Sequence, residues 1–186
     1  MRKVLASLKP YYYYLVGEGI KTIEVRKNMP KASDWDNEVL FYMSKDVKSF
    51  AKIPKEFQEK YRKHFGKVGM QFVCDWITKI TPHCDIDGCV NQYIHGYPAI
   101  LGENDCLSFK EMRAYLGNKN GYDWHISNLK IYDEPKELND FCKPCPMEDK
   151  YNCLRCEYYS DYSGVCMNYV NRPPESWFYV EKSKEE

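Results

Sequence analysis

The stretch Gly19-Ile20-Lys21-Thr22-Ile23-Glu24-Val25-Arg26 decides how the chain is read. Gly17 and Gly19 stop whatever precedes it, and from Thr22 onward polar and β-branched residues alternate. A period of two is the signature of a strand with one buried face. Ile23 and Val25 are therefore expected to point inward. Thr22, Glu24 and Arg26 are expected to point outward together, at a helix-to-strand junction open to solvent. Lys21, Glu24 and Arg26 place two cations and a carboxylate within six residues of chain. Such a trio suits the edge of a nucleobase, since a carboxylate accepts from an exocyclic amine, a guanidinium donates as a planar fork and an ammonium supplies a point charge. The plainer reading of the same spacing is a surface ion-pair cluster worth about 0–1 kcal/mol.

Towards the N-terminus, Val4 to Leu8 reads as a short strand, and Pro10 suits the first turn of a helix through Tyr11-Tyr12-Tyr13-Tyr14-Leu15-Val16. Towards the C-terminus, Glu38 to Met43 is a strand. From Pro54 to Phe65 the helical spacing of Phe57, Tyr61 and Phe65 predicts a helix that Gly66 ends. Val68 to Ile77 looks like a central strand. Ser108 to Leu116 is a helix with Ser108 and Glu111 as a capping box, and Trp124 to Tyr132 and Trp177 to Val180 are further strands. About six strands with few, short helices argue against a doubly wound sheet. The pattern predicts an α+β protein, a small mixed β-barrel with appended helices.

With 186 residues the chain can bury one core, so a single domain over 1–186 is expected, carrying a loop insertion at 82–106 and a Cys-rich insertion at 142–166. Lys and Arg number 27 against 27 Asp and Glu, a balance that argues against strong non-specific DNA binding and leaves any polyanion to a local patch. The clearly basic region runs from Lys45 to Lys67, either a solvated helix face or a phosphate-contacting patch. Nothing approaches the roughly 18 apolar residues of a membrane span, and Met1 to Pro10 lacks the apolar run of an export signal, so a cytoplasmic protein is expected.

The nine cysteines are odd in number and unevenly spread, which favours metal ligation or buried thiols over disulfides. Cys142-x-x-Cys145 and Cys153-x-x-Cys156 form two knuckles that could close a tetrahedral, structural zinc site; an iron–sulfur cluster or unligated thiols are the alternatives, and Cys166 follows nearby. A second grouping, His83, Cys84, Cys89 and His95, has ligand-like residue types at irregular spacing.

Leu5-Ala6-Ser7-Leu8-Lys9-Pro10 followed by Gly19-x-Lys21-x-x-x-x-Arg26 resembles the opening of ASCH domains, members of the PUA-like superfold. The segments Trp124 to Leu138 and Arg172 to Val180 look like the second half of phage and bacterial ASCH proteins, in the right order. The resemblance implies a five- or six-stranded PUA-like barrel whose cleft recognises RNA or a modified nucleoside, with Lys21, Glu24 and Arg26 lining it. Ser7, Lys9 and Ser176 join the set through the family motifs alone. Some ASCH members hydrolyse N4-acylated cytidine with this lysine, a threonine three residues on and a glutamate elsewhere; Glu24 stands in the threonine's place here, a carboxylate where a hydroxyl nucleophile would be.

An enzymatic alternative, amidohydrolase or ribonuclease, would use Glu24 as general base and Lys21 as oxyanion stabiliser or base, with His125 as acid or base. Trp124, Trp177 and the tyrosine run are candidates for base stacking. A third reading is a phage-encoded protein-interaction module.

Overall fold

The computed structural model describes residues 2–31, 36–84, 89–96, 104–144, 159–160, 165–166 and 168–182. Its strands are β1 (Lys3–Leu8), β2 (Ile23–Arg26), β3 (Glu38–Met43), β4 (Val68–Val73), β5 (Ile77–Cys84), β6 (Val90–His95), β7 (Gly121–His125), β8 (Ser127–Lys136), β9 (Phe141–Cys142), β10 (Tyr159–Ser160), β11 (Val165–Cys166) and β12 (Trp177–Lys182). The helices are α1 (Pro10–Gly17), α2 (Val47–Phe50), α3 (Lys55–Arg62) and α4 (Phe109–Leu116).

Six strands form one sheet in the order β8-β4-β3-β1-β12-β9, and four form a second in the order β2-β7-β5-β6. β1 and β3 run parallel, with Leu8 opposite Met43 at their C-terminal ends; the other pairings are antiparallel. The two sheets are linked by the chain at two corners. β4 passes into β5 across Cys74–Trp76, β7 passes into β8 at Ile126, and the amide of His125 donates to the Trp76 carbonyl at 3.1 Å to hold the corner.

The single strands expected over Val68–Ile77 and Trp124–Tyr132 are therefore each broken in two. Curling the sheet demands a turn at the corner, and neither segment carries a glycine or proline there to register it. The mixed α+β class and the curled sheet agree with expectation. Part of the expected 82–106 loop is strand instead, since β6 pairs with β5 from Ile80↔His95 to Cys84↔Val90.

The main core lies where the first sheet meets α1 and α3. Val4, Ala6, Val39, Phe41, Met70 and Phe72 pack there against Tyr13, Val16 and Tyr61. On the sheet's other face Leu5, Leu40, Val68, Phe141 and Val180 form a smaller cluster, and Val25, Ile80, Met112 and Leu116 join β2 and β5 to α4. The tyrosine run divides as helical geometry requires. Tyr13 and Tyr14 are buried, while Tyr11 and Tyr12 stay half-exposed.

Tyr13 anchors α1 through a buried polar relay. The pairing of β4 skips Gly69 between Val68 and Met70, and the amide released from the ladder donates to the Tyr13 hydroxyl. That hydroxyl lies 3.0 Å from Nδ1 of His64, which is 1% exposed. Only glycine fits at 69, because a Cβ there would collide with the His64 ring and sit 2.6 Å from the Tyr13 oxygen. Burial pushes the His64 imidazole from 6.5 down to about 4, and the charges of Lys63 and Lys60 add to the shift.

The unfolded chain takes up this proton near pH 6.5 and the folded chain only near 4. Its contribution is full above 6.5 and disappears as pH falls through that window, by up to about 3 kcal/mol. Urea midpoints measured from pH 7 to pH 4 should fall for the native sequence and fall less steeply for His64→Gln. Parallel profiles would contradict a neutral, buried His64.

Candidate functional site

β2 carries the site. Ile23 and Val25 face the apolar side, and Glu24 and Arg26 face the opposite side, as a strand's alternation dictates. That opposite side is not solvent. Lys21 is 2%, Glu24 5% and Arg26 4% exposed, which overturns the expected open junction. The chain returns over this face: Ser7 at the end of β1 and the Pro173–Ser176 segment before β12 close on it, and the loop at Asn104–Cys106 closes on Lys21. Contacts so distant in sequence leave no local pattern.

Arg26 donates from Nη1 to the Ser176 carbonyl at 3.0 Å and from Nη2 to the Ser7 carbonyl at 2.8 Å. Its Nε lies 2.9 Å from Glu24 Oε1, an ion-pair contact in which the N–H is not aligned as a hydrogen bond. Lys21 Nζ donates to the carbonyls of Ile23 at 2.6 Å and Asp105 at 2.5 Å, and lies 3.4 Å from the other Glu24 oxygen. Glu24 thus bridges both cations. Among the described residues no second carboxylate comes within ion-pair distance of either, so the trio carries a formal charge of +1.

The trio opens onto a cleft of about 770 Å³ beside the C-terminal ends of the parallel strands β1 and β3. Tyr11 and Tyr12 of α1 and Tyr115 of α4 supply aromatic surface; Lys9, Lys48 and Lys52 supply positive charge, and Asp46, Glu111 and Glu175 supply carboxylates at the walls. Tyr12 donates to Glu111 at 2.8 Å, and its ring centroid lies 5.8 Å from Lys21 Nζ, a cation–π distance. Glu111 is fixed in turn by the capping box with Ser108 that the sequence predicts. Burial, and then the hydrogen bond to Glu111, raise the Tyr12 phenol well above its ordinary value, which keeps it a donor.

Ser7, Lys9, Lys21, Glu24 and Arg26 all line this cleft; Ser176 is not a lining residue, and its carbonyl holds Arg26 from behind the wall formed by Pro173 to Glu175. Trp124 and His125 do not line it. Trp124 pairs with Glu24 across β2 and β7, but its ring is wholly buried against Trp177, 5.9 Å away, and offers no face to a base. His125 lies on the other side of the strand, stacked on Trp76 at 4.8 Å with Nδ1 2.5 Å from Asp75. Tyr115 is a lining residue that sequence reasoning missed. It carries no signal of its own, because it reaches the cleft only through the packing of α4 under β2 and β5.

Of the expected zinc ligands Cys142 is described, buried in β9; Cys145, Cys153 and Cys156 lie outside the described residues. Among the described residues no group of three or more His, Cys, Asp and Glu side chains is placed to hold a metal. In the second grouping His95 turns to Asp123, with Nδ1 at 2.6 Å, and its other nitrogen lies 4.0 Å from Asp105.

No family model matches the chain, and no curated protein matches it. Among solved structures it is similar to the crystal structure of ASCH from Zymomonas mobilis, at 15% identity and a TM-score of 0.47, covering 97% of this chain and 88% of that one. Two mutant forms of the same protein match at 15% identity with TM-scores of 0.47 and 0.46. The similarity names the family that the sequence motifs resemble. At such a distance it lends no residue role and no activity.

The buried trio differs energetically from an exposed cluster. Removing one member of a buried ion pair strands the other and costs about 3–5 kcal/mol, against about 0–1 for an exposed pair. Glu24→Gln keeps the shape and removes the charge. It should lower unfolding free energy in urea by about 3 kcal/mol. A loss under about 1 kcal/mol would mean that Glu24 contributes no more than a surface pair.

Proposed function

We propose that the protein binds RNA or a nucleobase in the cleft floored by Lys21, Glu24 and Arg26. The observation that carries this reading is the floor's composition: one carboxylate held between two buried cations, with a net positive charge, below half-exposed tyrosines. Each part has a counterpart in a nucleotide. Glu24 keeps lone pairs that can accept from a base amine. Tyr11, Tyr12 and Tyr115 offer ring surface for stacking, and Lys9, Lys48 and Lys52 offer exposed charge for phosphate.

The same geometry favours binding over hydrolysis. Lys21 has three N–H bonds, and the Ile23 carbonyl, the Asp105 carbonyl and Glu24 stand at them. An oxyanion stabiliser or general base would have to abandon those partners. His125, the acid or base of the enzymatic alternative, is held outside the cleft.

A structural zinc on Cys142, Cys145, Cys153 and Cys156 belongs to the same reading. Its support is a bridge between Cys142 and Tyr169 that joins the two ends of the Cys-rich segment, reinforced by the Val170 amide donating to the Phe141 carbonyl at 2.8 Å. A segment pinned at its base, with Met147, Leu154 and Val165 as the few non-aromatic apolar residues of 142–166 besides cysteine, would gain stability from a bound metal. Elemental analysis of protein purified under reducing conditions should find about one zinc per chain; a metal-free, folded protein would remove this assignment.

Lys48 and Lys52 are exposed, so reversing them leaves the floor intact. In a fluorescence titration with single-stranded RNA, the double variant Lys48→Glu, Lys52→Glu should bind about tenfold more weakly and show a shallower dependence on salt. Identical curves for variant and native protein would count against the cleft. Turnover of N4-acetylcytidine that is lost in Lys21→Ala would replace the binding reading with a hydrolytic one.

A further inference from the structure

We infer that the cleft is the first half of a longer groove, and that its ligand is a single-stranded oligonucleotide whose next nucleotide enters a second cavity. This rests on the nucleic-acid reading of the cleft. The second cavity, of about 510 Å³, shares Ser44 and Pro173 with the first, so these residues form a common wall between adjoining spaces. Ligand sites for one drug-sized molecule measure about 300–1,000 Å³, so each space is of a size to take a nucleotide of its own.

The second cavity has the chemistry to take one. Asn139 and Asn171 carry amides, each with both donor and acceptor, the pattern that matches a base edge. Leu138 adds an apolar surface for a base face. Lys45 adds an exposed ammonium, and its stem lies over Gly66, where any side chain would collide with it. Gly66 adopts φ +79°, a conformation glycine takes without strain, so the close approach of Lys45 is written into the turn before β4.

The order of residues along the groove is also consistent. The cationic floor of Lys21 and Arg26 lies in the first cavity and Lys45 in the second, while Lys48 and Lys52 follow Lys45 along the same basic stretch of chain. Glu137 also lines the second cavity but is paired with Lys67 at 2.8 Å, so the ammonium of Lys45 is the charge that this space offers a phosphate. A duplex is a poor occupant, since its base edges are paired and its A-form grooves hold them out of reach of two separate cavities.

Calorimetry tests this with three probes: an equimolar mixture of the four nucleoside 5′-monophosphates, a random-sequence single-stranded RNA tetramer, and an RNA duplex. The tetramer should bind at least about tenfold more tightly than the monophosphates and than the duplex. The double variant Lys45→Glu, Asn171→Ala, whose residues are exposed, should melt with the native protein yet bring the tetramer down to the affinity of the monophosphates. If monophosphates and tetramer bind equally, the cleft takes one nucleotide, so the groove is overturned while the nucleic-acid reading stands. If the variant keeps the length advantage, or the duplex binds as tightly as the tetramer, the second cavity is not the continuation. If none of the three binds, both readings fall together.

Discussion

The guanidinium of Arg26 is the contact on which the site depends. It takes the carbonyl of Ser7 at the end of β1, the carbonyl of Ser176 just before β12, and the carboxylate of Glu24 within its own strand. Three segments, the farthest of them 150 residues from Arg26 along the chain, are joined by one side chain. A lysine could not do this, because its point charge lacks the rigid fork that meets two carbonyls at once. Lys21 performs the complementary task on the other side of Glu24, tying the loop at Asp105 that leads into α4. The floor of the cleft is thus also the fastening between the two sheets and α4.

Burying three charges is expensive, and a hydrophobic trio of the same volume would often serve stability as well or better. Desolvation is offset here by fixed carbonyl acceptors for both cations and by Glu24 between them, but the sum of charge is not brought to zero. A fold under selection for stability alone has no use for an unmatched positive charge in its interior. A ligand carrying negative charge would match it, which is what the proposed function supplies.

Much of the fold was legible because its signals are local. The alternation in Ile23-Glu24-Val25-Arg26, the Ser108 and Glu111 capping box and the Pro10 helix start each depend on residues within a turn or two, and each appears where expected. Solvent exposure was not legible. The alternation correctly separates Ile23 and Val25 from Glu24 and Arg26, but whether the second face meets water depends on Pro173 to Ser176, far along the chain. Trp124 shows the same limit in reverse. An aromatic in a strand next to the site serves equally well as a stacking platform or as core, and the 5.9 Å contact with Trp177 assigns it to the core. The corners at Cys74–Trp76 and Ile126 were hidden because no glycine or proline marks the bend.

Rigidity and charge are divided within the cleft in a way that suits recognition of nucleic acid. Lys21, Glu24 and Arg26 are immobilised by backbone carbonyls and by one another, so little conformational freedom remains for a ligand to remove from them. Lys48 and Lys52 are exposed and keep theirs. Contacts of the first kind discriminate, because a misplaced donor or acceptor leaves a buried polar group unpaired. Contacts of the second kind attract any phosphate backbone with little regard to sequence. On the proposed function, selectivity would reside in β2, buried and fixed by the fold, and affinity in the lysines around α2, which can vary without disturbing that strand.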